Sequence, residues 1–146
     1  MPQSPRYDFT ADGKQESRSR IFGAEYRNWA GDHGAMTSQH GHDVPCAVCL
    51  SRGGRTQSLM IPATTLCPSG WTTEYEGYLS AAKYDHSRTE YICADSNPDV
   101  LPGTTSEQSI SFLFQVEGVC SPDSSGGLSC GPYEDGWELT CVVCTM

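Results

Sequence analysis

The sequence predicts an all-β fold: a disulfide-stabilised tandem-repeat domain built of short strands in small sheets. Three observations predict it. Helical periodicity is hard to find, because 15 Gly and 9 Pro are scattered through the 146 residues and few windows of ten escape a breaker. Seven short runs rich in Val, Ile, Phe, Tyr and Thr lie between those breakers. Eight cysteines, an even number, are many for a cytosolic protein of this size and fit a paired set.

The elements follow in chain order. Residues 1–19 are polar and unpatterned and read as an extended lead-in. The run 20–26 is the first strand, and a Gly/Ser/Asp-rich loop over 30–41 follows it. The run 47–50 is short and apolar, and Arg52-Gly53-Gly54-Arg55 supplies the turn after it. The runs 58–61 and 72–79 flank a segment holding Pro62, Pro68 and Gly70. The run 90–93 stops before Asp95-Ser96-Asn97-Pro98, a cluster of turn residues. The run 109–119 precedes a second Gly/Ser/Asp-rich loop over 121–131, and 138–144 closes the series. Trp71, Tyr75 and Tyr78 offer large side chains to a core. Many short strands at close spacing suit a sandwich, a barrel or small packed sheets.

An internal repeat organises these runs. Phe22-Gly23-Ala24-Glu25 matches Phe114-Gln115-Val116-Glu117 as F-x-x-E. Each is followed by a Gly-rich loop and then by Cys46-Ala-Val-Cys49 or Cys141-Val-Val-Cys144, the first cysteine lying 24 residues after the phenylalanine in one copy and 27 in the other. The chain therefore divides into a lead-in (1–19), the back part of a first half-repeat (20–50) and a complete second half-repeat (51–146).

Charge and composition exclude several classes. A net charge of −9 argues against nucleic acid or an anionic membrane as the main partner. No apolar run approaches the ~20 residues of a spanning helix. Residues 1–15 carry no apolar core of a secretory signal. Since the cysteines point to an oxidising compartment, the chain reads as an N-terminally truncated piece of an extracellular, secreted protein.

The two C-x-x-C pairs admit three readings. Four thiolates could hold one zinc, but 91 residues separate the pairs. A redox pair would need a strand-then-helix context that lowers a thiol pKa, and none is visible. Each pair sits in a β-prone run, where residues i and i+3 point to opposite faces, so its two thiols suit two separate disulfide partners. His40-Gly41-His42, if extended, would put both imidazoles on one face as a two-point grip on a divalent metal; exposed polar residues leading into a strand are the plainer alternative. His33 and His86 read as surface residues, and aspartates next to histidines in sequence, such as Asp43 by His42 and Asp85 by His86, make no triad by adjacency alone. No nucleophile elbow, P-loop or H-E-x-x-H is present, so no enzyme and no cofactor are expected.

A resemblance sharpens this picture. Cys46-Ala-Val-Cys49, Ser58-Leu-Met-Ile-Pro-Ala63, Cys67-Pro-Ser-Gly-Trp71 and Tyr75-Glu-Gly-Tyr78 resemble the junction between the halves of the type-IV collagen C-terminal non-collagenous domain. Ser111-Phe-Leu-Phe114 and Cys141-Val-Val-Cys144 are similar to later motifs of that domain. Short-chain, spongin-type collagen-like proteins are the closer match, at Gly23-Ala-Glu-Tyr26, His40–Cys49 and Gly136–Cys144. The resemblance implies a secreted, non-enzymatic module of extracellular matrix that mediates protein–protein association, with itself as a homo-oligomer or with other matrix chains. It implies the pairs Cys67–Cys144, Cys93–Cys141 and Cys120–Cys130, and it leaves Cys46 and Cys49 to thiols, another pairing or a bridge to a second chain. In the loop-entropy model the long bridges contribute about 4 kcal/mol each and the short one about 3. No Gly-X-Y tract is present for a triple helix. The alternative is a secreted recognition domain that binds glycan, mineral or metal through its Gly/Ser/Asp-rich loops.

Overall fold

The computed structural model describes residues 21–28, 35–87, 89–104, 111–120 and 126–146. The lead-in expected over 1–19, His33 with the rest of 30–34, and 121–125 of the loop over 121–131 lie outside the described residues. Six strands form: β1 (Ala24–Tyr26), β2 (Ser58–Pro62), β3 (Thr72–Ala81), β4 (Ile92–Asp95), β5 (Ser111–Gln115) and β6 (Thr140–Thr145). A 3₁₀ turn over Ala35–Gln39 is the one helical segment among the described residues. The fold is all-β, as the scattered breakers predict.

Six of the seven runs become strands. The exception is 47–50, which stays irregular. β-propensity expresses a fit to neighbouring strands more than a preference of the backbone, and 47–50 has no neighbouring strand among the described residues.

One six-stranded sheet runs β1-β5-β3-β6-β2, with β4 on β3. β3 is its hub, long enough to pair antiparallel with β6 over Thr72–Tyr78, with β4 over Gly77–Ser80 and with β5 at Ser80 and Ala81. β6 is enclosed between β2 and β3. β1 joins at the far edge by a parallel pairing in which Ala24, Glu25 and Tyr26 face Ser111, Phe112 and Leu113. Three chain segments meet where the Leu79 amide donates to Leu139 O (2.8 Å), the Val116 amide to Leu79 O (2.9 Å) and the Leu139 amide to Val116 O (2.8 Å).

The core is two small clusters. Leu79, Cys93 and Cys141 form one, with Met60, Val116, Leu139 and Val143 packed around them. Tyr26, Ala94 and Leu113 form the other, which ties the first half-repeat to the second through Val44, Tyr78 and Val100. Of the aromatics expected inside, Tyr78 packs on this second cluster, while Tyr75 is exposed and Trp71 only partly buried. Sulfur takes the central positions instead: Cys141 and Cys144 are wholly buried, as is Val142 between them.

Candidate functional site

Two features stand out: the buried, bonded C-x-V-C of β6 and its exposed counterpart at 46–49. In β6, Cys144 bonds Cys67 with Cα atoms 5.9 Å apart, and Cys141 bonds Cys93 at 5.7 Å. Each strand thiol thus takes a separate partner, as alternation along an extended strand requires. The β3 residues beside them fit this arrangement. Thr73 pairs with Cys144 and donates its hydroxyl to Cys67 Sγ at 3.3 Å. Gly77 pairs with both Cys141 and Asp95. The Tyr75 hydroxyl donates to the Cys93 carbonyl at 3.1 Å, and burial raises its pKa.

The third bond implied by the resemblance does not form. Cys120 is buried and donates from Sγ to Tyr133 O at 3.3 Å, and Cys130 Sγ lies against the Cys120 carbonyl oxygen rather than its sulfur. Both remain thiols. The Cys130 thiol, then burial, then Asp135 and Glu134 push the Cys120 pKa up to about 11.

The internal repeat recurs in three dimensions. Tyr26 N donates to His42 O (3.0 Å), Gly41 N to Tyr26 O (2.9 Å) and Val44 N to Ala24 O (2.8 Å). In the second copy Gly118 N donates to Trp137 O (2.9 Å), Gly136 N to Gly118 O (2.8 Å) and Leu139 N to Val116 O (2.8 Å). Counted from the phenylalanine on the outgoing side and from the first cysteine on the return, every donor and acceptor has its equivalent. The bridges Glu25–Asp43 and Glu117–Glu138 correspond in the same way. The turn glycines Gly41 and Gly136 both adopt φ 75°, a left-handed conformation that favours Gly. Even a side-chain bond is shared: His40 Nδ1 accepts from Asn28 N at 3.1 Å, and Asp135 Oδ1 from Cys120 N at 2.8 Å.

That last bond bears on the proposed metal grip. His40 lies in the turn, not in an extended strand, and its Nδ1 holds the Asn28 amide. The alternation that would align it with His42 therefore does not apply. No group of three or more metal-ligating side chains occurs among the described residues.

Past the hairpins the two copies diverge. β6 is covered on both edges, whereas 46–50 lies on the surface with Val48 96% and Leu50 93% exposed. Cys46 and Cys49 are exposed thiols. The Arg52–Arg55 segment turns as expected, with Gly53 and Gly54 both at φ 77°. Arg55 then reaches Glu74 at 2.9 Å, while the Thr145 hydroxyl donates to the same carboxylate oxygen at 2.5 Å. The Thr145 hydrogen bond, aided by Arg55, holds the Glu74 pKa below its usual value, with desolvation opposing it.

On the other side of β5 an open cleft of about 730 Å³ is lined by Arg27, Lys83, Tyr84, His86, Tyr91 and Phe114, among others. Arg27 lies over the Phe112 ring at 4.3 Å, and Lys83 binds Asp85 at 2.9 Å. Asp85 Oδ1 is 3.8 Å from His86 Nε2, a loose surface pair.

The residues that sequence reasoning passed over are Gly77, Glu74 and Thr145. Gly77 carried a signal, since a glycine inside a β-prone run marks a close backbone approach. Glu74 and Thr145 are 71 residues apart and carried none. No family model matches the chain, and no solved structure matches it. No helix among the described residues is long and apolar enough to cross a membrane, and the two disulfides are consistent with an extracellular or secreted protein.

Proposed function

We propose that the protein is a non-enzymatic structural module of extracellular matrix, similar in role to the non-collagenous end of a collagen chain, which associates with other protein chains. One observation carries the reading: the same hairpin occurs twice, with one C-x-V-C bonded into the sheet centre and the other left on the surface. A repeat that buries one copy of a strand and presents the other suits assembly better than it suits chemistry. The resemblance at Cys67-Pro-Ser-Gly-Trp71 and at the C-x-V-C pairs supports the same conclusion. The test is a surface binding assay with the oxidised full chain immobilised. Saturable binding of the soluble chain or of a matrix collagen, lost on reduction and alkylation, is the expected result. No binding to either overturns the reading.

The cleft beside β5 favours a second reading, recognition of a glycan. Exposed tyrosines offer a sugar their ring faces, and Arg27 and Lys83 place cations beside them. Binding of the monomeric chain to a glycan array, with none to protein, would establish it in place of the first.

A further inference from the structure

The segment 47–51 (Ala-Val-Cys-Leu-Ser) carries no charge in a chain with a net charge of −9. Val48 and Leu50 are among its most exposed side chains, and Cys49 is an exposed thiol. Its counterpart in the second copy shows what this motif adopts when neighbours are available: an extended strand between two others, with its thiols oxidised. We infer that 47–51 is a self-association strand that pairs antiparallel with the same segment of a second copy and is locked by a Cys49–Cys49 disulfide across the twofold axis. This inference rests on the assembly reading and names the surface that performs it.

Symmetry restricts the register. In an antiparallel pair, opposite side chains share a face, and along one strand the faces alternate. A twofold axis normal to the strands must therefore pass through a residue opposite its own copy. With Cys49 on the axis, Val48 of each chain stands opposite Leu50 of the other, and both apolar pairs lie on the face away from the sulfurs. Opposite residues bring their Cα atoms to about 4.5–5.5 Å, inside the range a disulfide spans. An axis through Cys46 would instead put Pro45, which has no N–H, into the ladder and bring Asp43 of each chain into it as well. Over 46–52 the Cys49 register sets Arg52 of each chain opposite Cys46 of the other and leaves Pro45 and Asp43 outside the ladder.

The oxidation balances with a small-molecule disulfide as oxidant. One Cys49 thiolate attacks that disulfide and releases one thiolate. The second Cys49 thiolate attacks the mixed disulfide and releases the other. One protein S–S bond forms, the small disulfide is reduced to two thiols, and the two protons from Cys49 pass to them.

The experiment uses the full chain equilibrated in a buffer of reduced and oxidised glutathione, read by sedimentation velocity and a mass-spectrometric disulfide map. A covalent dimer linked through Cys49–Cys49 is expected. Cys49→Ser should reduce the covalent dimer at least tenfold and Cys46→Ser should leave it unchanged. Val48→Asp should lower its yield severalfold with every thiol still present, which indiscriminate thiol oxidation would not show. A Cys46–Cys49 bond within one chain, a link from Cys49 to another cysteine, or a Val48→Asp chain that dimerises like the parent overturns the inference. If the chain binds itself or a matrix collagen yet maps no Cys49 link, this inference fails and the assembly reading stands. If it neither binds nor cross-links, both fail.

Discussion

Gly77 on β3 lies directly beneath the backbone of Ala94 on β4: a β-carbon at Gly77 would occupy the space of the Ala94 carbonyl oxygen and crowd Ser96 N. The missing side chain lets β4 lean across β3 toward β6, so that Cys93 comes within 5.7 Å of Cys141, Cα to Cα. Gly77→Ala should therefore act on the disulfide as well as on packing. Displacing backbone in a filled site costs about 1–3 kcal/mol or more. The expected result is an unfolding free energy in urea lowered by that amount, with a correspondingly lower midpoint, and slower formation of Cys93–Cys141 in a quenched oxidation series. An unchanged midpoint would contradict this account.

The two bridges close long loops, with sequence separations of 77 and 48. Replacing both partners of one bridge, as in Cys67→Ser with Cys144→Ser, avoids an additional unmatched thiol. Loss of either pair should cost about 4 kcal/mol in the loop-entropy model. Equilibrium urea unfolding of the two double variants under matched redox conditions measures it, and a loss below about 1 kcal/mol would argue for a denatured state that is already compact.

Glu74 links stability to pH. Its carboxyl pKa is lowered by the Thr145 hydroxyl and by Arg55, so the carboxylate form is favoured in the folded state. A lowered folded pKa gives stability that is present above the unfolded pKa, about 4.3, and lost as pH falls below it through the folded value. Glu74→Gln should melt below the parent at pH 7, with the gap closing as the pH drops below about 4. Melting temperatures of both proteins from pH 2 to 8 test this, and a constant gap would rule it out.

Cys120 should be a slow nucleophile. Its pKa of about 11 leaves little thiolate at neutral pH, and the thiolate is the reactive form. Its alkylation by iodoacetamide, followed peptide by peptide, should rise with a midpoint near pH 11, against about 8.5 for an ordinary thiol. Rapid labelling at pH 8 would contradict it.

The turn glycines should respond alike. Gly41→Ala and Gly136→Ala each force an alanine into a left-handed conformation, at roughly 1–2 kcal/mol. Amide exchange should quicken at Tyr26 in the first variant and at Gly118 in the second, each amide being bonded across its own turn. A response in only one hairpin would mean that the two turns are not equivalent.

The strands were legible where turn residues bracket a β-prone run, and the repeat was legible because F-x-x-E and C-x-V-C recur together. Residues 47–50 misled because a strand is completed by its neighbours, which a sequence window does not contain. Trp71 and Tyr75 misled because the centre of this sheet is filled by bonded sulfur and Val142 rather than by rings. The parallel pairing of β1 with β5 joins residues 87 apart, and its register left no pattern to read. Cys120 and Cys130 are close in sequence, yet the Cys130 side chain faces a carbonyl instead of a sulfur.

The doubled C-x-V-C also has a consequence for how the protein is made. As the chain is synthesised, Cys46 and Cys49 emerge before Cys67 and Cys93, and Cys141 and Cys144 emerge last of the eight. The first thiols to reach the partners reserved for β6 therefore belong to the wrong copy, attached to a segment of nearly the same sequence. Maturation should then be a contest between two near-identical claimants, which the later one wins as β2 and β3 enclose it. A biosynthetic pulse halted early should trap the earlier pair on Cys67 and Cys93, and a longer chase should hand those partners over. Thiol exchange would then be a proofreading step of assembly, and a cell short of disulfide isomerase would accumulate the misjoined form.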